Sequence, residues 1–195
     1  DRDVVHLLSS WFNRGFLVLR RIDWSTPANI LEQIIRYEAV HEIRDWNDLR
    51  RRIDPVDRRC YAFFHPQLND EPLIFVEVAL TETIPTAIAP LLAAERQLVP
   101  IERARTAVFY SISNTQKGLG GISFGSFLIK QVVEEVSRED LFARSDAIVV
   151  CCALTDETRG MVSRALIARM RSVMSTKSRG LRVCEVMATE PSSAM

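Results

Sequence analysis

Residues 107–140 read AVFYSISNTQKGLGGISFGSFLIKQVVEEVSRED, and the change of period within this stretch decides the fold. Val108, Tyr110 and Ile112 alternate with Phe109, Ser111 and Ser113, which is the two-residue period of a β-strand. Polar Asn114, Thr115, Gln116 and Lys117 end that strand. Gly118, Gly120, Gly121 and Gly125 follow, and then Ile129, Val132, Val133 and Val136 recur at helical spacing with charges on the other face. The order is strand, glycine loop, helix. Glycines at such a junction let main-chain N–H groups close on a ligand, and the free amides and positive dipole of the first helical turn favour an anion. No Asp or Glu occurs between Arg103 and Val133, while Lys117 and Lys130 flank the loop, so an arriving phosphate meets no like charge. The stretch is read as a cradle for a pyrophosphate.

Two other readings of the same glycines stand beside that one. The first is plain loop punctuation. The second is a dinucleotide fingerprint, because Gly118, Gly120 and Gly121 approach G-x-G-x-x-G and Glu139 and Asp140 lie near the expected downstream distance. A dinucleotide unit needs a second hydrophobic strand ending at the acidic residue, whereas Ser137 to Asp140 is the charged end of the helix itself.

The segment Gly120, Gly121, Ile122, Ser123, Phe124, Gly125 and Ser126 resembles the acyl-CoA loop of the acetyltransferase-like superfamily. Its surroundings, with WFNRGFLVLRRIDWSTPANILEQIIRYEAVHEI and RRCYAFFHPQLNDEPLIFVEVAL before it, resemble the catalytic domain of the malonyl-CoA decarboxylase family across about residues 1–138. That resemblance implies an α+β fold, an acetyltransferase-like and mostly antiparallel sheet flanked by helices. It implies a carboxy-lyase that converts malonyl-CoA to acetyl-CoA and CO2 in fatty acid metabolism, with acyl-CoA as ligand of residues 120–126. It also implies no metal or organic cofactor, a homo-oligomer and a cytoplasmic setting. The family's catalytic serine lies in a Ser-Pro segment and its histidine in a later Asn-Pro segment. This chain contains neither dipeptide, and its last histidine is His65. No catalytic residue is therefore assigned, and residues 1–140 are read as a partial domain, inactive alone, that keeps the ligand loop. Ser123 stands where some relatives carry Glu or Gly; its hydroxyl either donates to a phosphate or thioester oxygen or caps the helix.

Composition bounds the rest. A chain of 195 residues that is 47% hydrophobic, with 25 basic and 25 acidic residues, is long enough for one domain with a sizeable core and gives no reason to expect nucleic acid as a partner. Cys60, Cys151, Cys152 and Cys184 make no C-x-x-C metal pattern and are read as reduced core cysteines. No apolar run reaches membrane-spanning length and no signal peptide is visible, so no membrane partner is expected; a first residue other than Met suggests a piece of something longer.

Along the chain, Val4 to Phe12 is a short apolar segment and Phe16 to Ile22 a strand. Ser25 or Thr26 before Pro27 predicts a helix start, followed by an apolar stripe of Ile30, Leu31, Ile34, Ile35 and Val40. Arg44 to Asp54 is a helix whose Arg50, Arg51 and Arg52 are read as a solvated face. Cys60 to Phe64 and Leu73 to Leu80, joined by turn formers, predict an antiparallel hairpin, and Ile84 to Glu95 a short helix broken by Pro85 and Pro90. His6 and His41 fall in helical segments and His65 in a turn, each a structural position rather than a catalytic one.

Residues 141–195 form a tail with a strand at Ala147 to Val150 and then an amphipathic helix. Within it, Leu154, Thr155, Glu157, Thr158 and Gly160 resemble a segment of the cofactor domain of D-2-hydroxyacid dehydrogenases, over about residues 141–171. Two alternative functions follow from the sequence: an NAD-binding dehydrogenase fragment, which rests on the tail, and a non-catalytic interaction domain.

Overall fold

The computed structural model describes residues 16–115, 131, 132, 135, 147–150 and 182–185. Six strands lie in one sheet in chain order: β1 (Val18–Ile22), β2 (Arg58–Phe64), β3 (Pro72–Thr81), β4 (Thr106–Asn114), β5 (Ala147–Val150) and β6 (Arg182–Glu185). The first four pair antiparallel, and β4–β5 and β5–β6 pair parallel. Helices α1 (Ala28–Tyr37) and α2 (Trp46–Ile53) join β1 to β2, and one turn of helix, α3 (Ala89–Leu92), lies between β3 and β4. The α+β class and the antiparallel hairpin are as the sequence predicts.

The central place of β2, β3 and β4 shows in their burial. Each is buried at nearly every position rather than at every second one, the signature of a strand covered on both faces. On one face Ile22, Cys60, Ala62, Phe64 and Phe75 pack against Ile30, Leu31 and Ile34 of α1, Leu49 and Ile53 of α2, and Ile43 between them. Burying Ile30, Leu31 and Ile34 contributes roughly 1.5–3 kcal/mol each. Farther along that face Ala79, Val108 and Tyr110 pack on Ile88, Leu91 and Leu92 around α3. The other face carries Tyr61, Phe63, Val76 and Phe109, all fully buried.

The hairpin between β2 and β3 turns at Asp70, whose φ of 57° is a left-handed conformation that Asp tolerates better than most residues. Its carboxylate accepts from Arg20 of β1 at 2.7 Å, and the Arg20 guanidinium lies 4.5 Å over the Phe64 ring. β4 contains one bulge. Ser111 pairs with Glu77 and Phe109 with the next residue, Val78, so Tyr110 is inserted without a partner of its own.

Several local expectations are corrected. Neither Ser25 nor Thr26 caps α1: Pro27 is the N-cap with extended backbone, and Thr26 Oγ1 accepts from the Asp23 amide while the Ser25 hydroxyl donates to the Asp23 carboxylate. The short polar side chains close their own turn instead of the helix. The helix ends at Tyr37, before Val40, and His41 lies in the connection between α1 and α2, not in a helix. The 84–95 segment forms only the single turn of α3, as two prolines in six residues would enforce.

Helix α2 is capped by Asp45, whose side chain accepts from the Asp48 amide at 2.8 Å. Replacing Asp45 by Ala is expected to cost about 1 kcal/mol in a denaturant titration, and Asp45→Asn much less.

Candidate functional site

The carboxyl ends of the two adjacent parallel strands set the place where a ligand is expected. In sheets with parallel neighbours, ligands sit outside the carboxyl ends of the strands. Here β5 pairs with the first half of β4, from Thr106 opposite Ala147 to Phe109 opposite Val150, while β4 continues to Asn114. Thr115 then pins the outgoing chain: its amide donates to the Leu73 carbonyl at 2.9 Å, and its hydroxyl donates to the carbonyls of Pro72 and Leu73. The glycine segment follows directly. Residues 120–126, with Gly120, Ser123 and Gly125, lie outside the described residues; on the far side Gln131, Val132 and Glu135 are helical, with Val132 buried. The strand before the loop and helical residues after it are thus in place.

Beneath the last turn of β4 lies a buried polar knot that the sequence reading missed. Glu38, the C-cap of α1, accepts from the Ser111 hydroxyl at 2.7 and 2.8 Å, from the Ser113 hydroxyl at 3.1 Å, and from the amides of Val40 and His41 at 3.0 and 2.7 Å. Ser113 Oγ in turn accepts from the Ala39 amide. The corner at residues 38–43 is thereby tied to the end of β4 that leads into the loop.

Next to it is a second cluster. Glu77, the cross-strand neighbour of Ser111, is fully buried. Among the described residues its ion-pair contact is Arg52 at 3.5 Å. Arg52 is held more closely by the carbonyls of His41 and Glu42, both at 2.7 Å, and reaches Asp48 at 3.4 Å. Burial, and then the charge of Glu38, raise the Glu77 carboxyl to about 8 despite Arg52. Burial and then Glu77 push the Tyr110 hydroxyl well above its usual value. Tyr110 lies against Glu77, yet the pair falls short of hydrogen-bond geometry: Tyr110 Oη and Glu77 Oε1 have no hydrogen-bond partner among the described residues. His41, with its ring centroid 6.2 Å from that of Tyr110, is lowered from its ordinary value by burial, with Arg52 adding to the effect and Glu38 opposing it. These groups hold position and protons; full burial keeps Glu77 and Tyr110 from touching a substrate directly.

The arginine run divides. Arg50 pairs with Asp54 at 3.0 Å and lies 5.2 Å over the Trp24 ring, and Arg51 pairs with Asp48 at 3.1 Å, as a solvated face would. Arg52 turns inward instead, because it lies one turn after Asp48 on the buried face of the helix and meets two carbonyls and Glu77 there. Asp48 stays below the usual carboxylate range: burial pushes it up, but the Arg44 amide and Arg52 outweigh that. Among the described residues no group of His, Cys, Asp and Glu is arranged to hold a metal. The described cysteine Cys60 is a buried free thiol.

The profile of the malonyl-CoA decarboxylase C-terminal domain matches residues 15–177. The chain belongs to the malonyl-CoA decarboxylase family. Mitochondrial malonyl-CoA decarboxylase of Mus musculus is 44% identical over 138 residues, covering 68% of this chain and 27% of the relative; that of Anser anser anser is 44% identical over 136 residues. Among solved structures, malonyl-CoA decarboxylase from Rhodopseudomonas palustris is 73% identical with a TM-score of 0.67, over 71% of this chain and 34% of the other. The one from Agrobacterium vitis is 54% identical with a TM-score of 0.74, over 92% of this chain and 42% of the other. The chain thus spans about a quarter of the length of the curated malonyl-CoA decarboxylases it matches. The family match runs past residue 160, through the stretch that resembles a dehydrogenase, and the dehydrogenase alternative gains no support. Among the described residues, no helix is long and apolar enough to cross a membrane.

Proposed function

We propose that this chain is the acyl-CoA-holding part of a malonyl-CoA decarboxylase. The observation that carries the reading is the family match over residues 15–177, supported by a glycine segment that follows β4 in the sequence. Main-chain amides of residues 120–126, including Gly120, Gly121 and Gly125, hold the CoA pyrophosphate, and the Ser123 hydroxyl donates to a phosphate or thioester oxygen. In the reaction the bond between the carboxylate carbon and Cα breaks, CO2 leaves, and the electron pair remains as a thioester enolate. Preorganised donors stabilise that oxygen, and a proton delivered to Cα gives acetyl-CoA. No metal or redox cofactor is needed to balance these steps.

The family's Ser-Pro and Asn-Pro segments do not occur in these 195 residues, so the chain alone is expected to bind CoA without turning malonyl-CoA over. For place of action, the relatives from mouse and rat are named mitochondrial proteins; the cytoplasm is the proposal for this chain.

Calorimetric titration with CoA tests the reading. Saturable binding is expected, lost in Gly121→Trp and Gly125→Trp, whose side chains fill the space the amides need, while the unfolding midpoint is unchanged. An assay for acetyl-CoA from malonyl-CoA is expected to give none. Absence of binding at roughly millimolar CoA, where even a weak site near −4 kcal/mol would be occupied, overturns the assignment.

A further inference from the structure

Besides the Glu38 knot, Arg52 also spans the space between the 38–43 corner and the sheet. Its two terminal nitrogens donate to the His41 and Glu42 carbonyls at 2.7 Å, while Glu77, the acid it faces, is left at 3.5 Å. Among the described residues Glu77 is a fully buried carboxyl with a single long contact, to Arg52, and an Oε1 without a bonded partner, a setting that disfavours its ionised form. Tyr110, the extra residue of the β4 bulge, lies against the same acid, and its hydroxyl, without a bonded partner among the described residues, is a second donor available to a carboxylate.

We propose that Glu77 and Arg52 form a proton-operated latch on the 38–43 corner. With Glu77 neutral, Arg52 clasps the His41 and Glu42 carbonyls and keeps the Glu38 knot seated against the end of β4. When Glu77 ionises, Arg52 and Tyr110 turn to the carboxylate and the corner is released. Every element around Glu77 contributes a charged or titratable group: Glu38 from the end of α1, His41 from the connection, Arg52 with Asp48 behind it from α2, Cys60 and Arg58 from β2, and Tyr110 from β4. Glu38 opposes ionisation and Arg52 favours it, while burial keeps Cys60 and Tyr110 neutral throughout the range in which Glu77 titrates.

The linkage sign follows from the proton count. The native chain holds the Glu77 proton up to about 8, whereas the unfolded chain releases it near 4.3. Across that window rising pH lowers the folded-to-unfolded ratio by up to about tenfold per pH unit, and above it the effect is flat. His41, lowered from its ordinary value, acts in the opposite sense on the acid side of about 6.5, so the comparison is made against Glu77→Gln, which keeps His41 and removes only the Glu77 proton.

The 195-residue chain and its Glu77→Gln variant are titrated with denaturant across this window, and amide exchange at Val40 and His41 is followed, corrected for the intrinsic pH dependence. The wild-type chain is expected to lose stability relative to Glu77→Gln as pH rises, and its corner amides to exchange faster through about 8, with neither change in the variant. If Glu77→Gln does not fold, the infrared spectrum of the wild type decides: a protonated-carboxyl C=O band is expected at about pH 7, where ordinary Asp and Glu are ionised, and is expected to vanish at higher pH. Parallel pH profiles for the two chains, or no such band at about pH 7, overturn the latch.

Discussion

Asp57→Ala is expected to lower stability by about 3–5 kcal/mol, the range for removing one partner of a buried ion pair. Asp57 is buried at the start of β2 and accepts from both terminal nitrogens of Arg96, at 2.5 and 2.9 Å, and from the Val99 amide at 3.1 Å. Burial pushes its carboxyl up, but the Arg96 bonds, the Arg58 charge and the Val99 amide outweigh this and keep it below the usual range. Arg58, also buried, donates to the Leu91 carbonyl at 2.6 Å, so two arginines hold the segment between β3 and β4 onto the sheet around one carboxylate. Alanine would leave the Arg96 guanidinium and the Val99 amide without this acceptor and Arg58 without its counter-charge. Denaturant titration measures the loss, and limited proteolysis is expected to cut first near residues 93–99. Because the Asp57 carboxyl is lowered, its contribution is full above about 3.9 and lost as pH falls, so the variant should lack that part of the acid transition. A loss of less than about 1 kcal/mol would show that the segment is held by its apolar contacts instead.

Glu38→Ala comes next in size. The change leaves two hydroxyls and two amides without their acceptor, and each buried orphan costs on the order of 1–3 kcal/mol before the corner relaxes toward water. A net loss of about 3 kcal/mol is expected, with exchange of the Val40 and His41 amides accelerated more than that of β2 and β3 amides. Glu38→Gln keeps one acceptor oxygen and should lose about half as much. Equal effects of the two substitutions would mean that the carboxylate's charge, not its acceptor geometry, secures the corner.

Much of the architecture is legible in residue order because it rests on local periodicity. The strand-like runs of residues 60–64 and 73–80 and the alternation over residues 108–113 mark β2, β3 and β4 as strands, and the turn formers between residues 65 and 72 mark the hairpin. β6 was not assigned, although Leu181, Val183 and Val186 around Arg182 and Glu185 carry a weak alternation; four residues are too few to distinguish a strand from a loop. The polar cluster was missed for a different reason. Glu77 sits inside LIFVEVAL, an acid where every neighbour is apolar, and that was the available signal. Its partners Glu38, Arg52 and Tyr110 come from three separate elements, and only the packing of α1 and α2 on the sheet brings them together. Arg52 was read as solvent-facing from its arginine neighbours, yet helical geometry turns adjacent residues by about 100°, so charge runs say little about any single member.

The extra residue in β4 has an engineering consequence. Phe109 already matches Val78 and Ser111 already matches Glu77, so excising Tyr110 would let the ladder close without moving any other side chain to the opposite face. The strand can therefore gain or lose this phenol as a single in-frame codon, a modular insertion whose removal keeps the facing of every other side chain while taking the ring out of the Ala79–Val108 cluster and the hydroxyl from beside the buried acid.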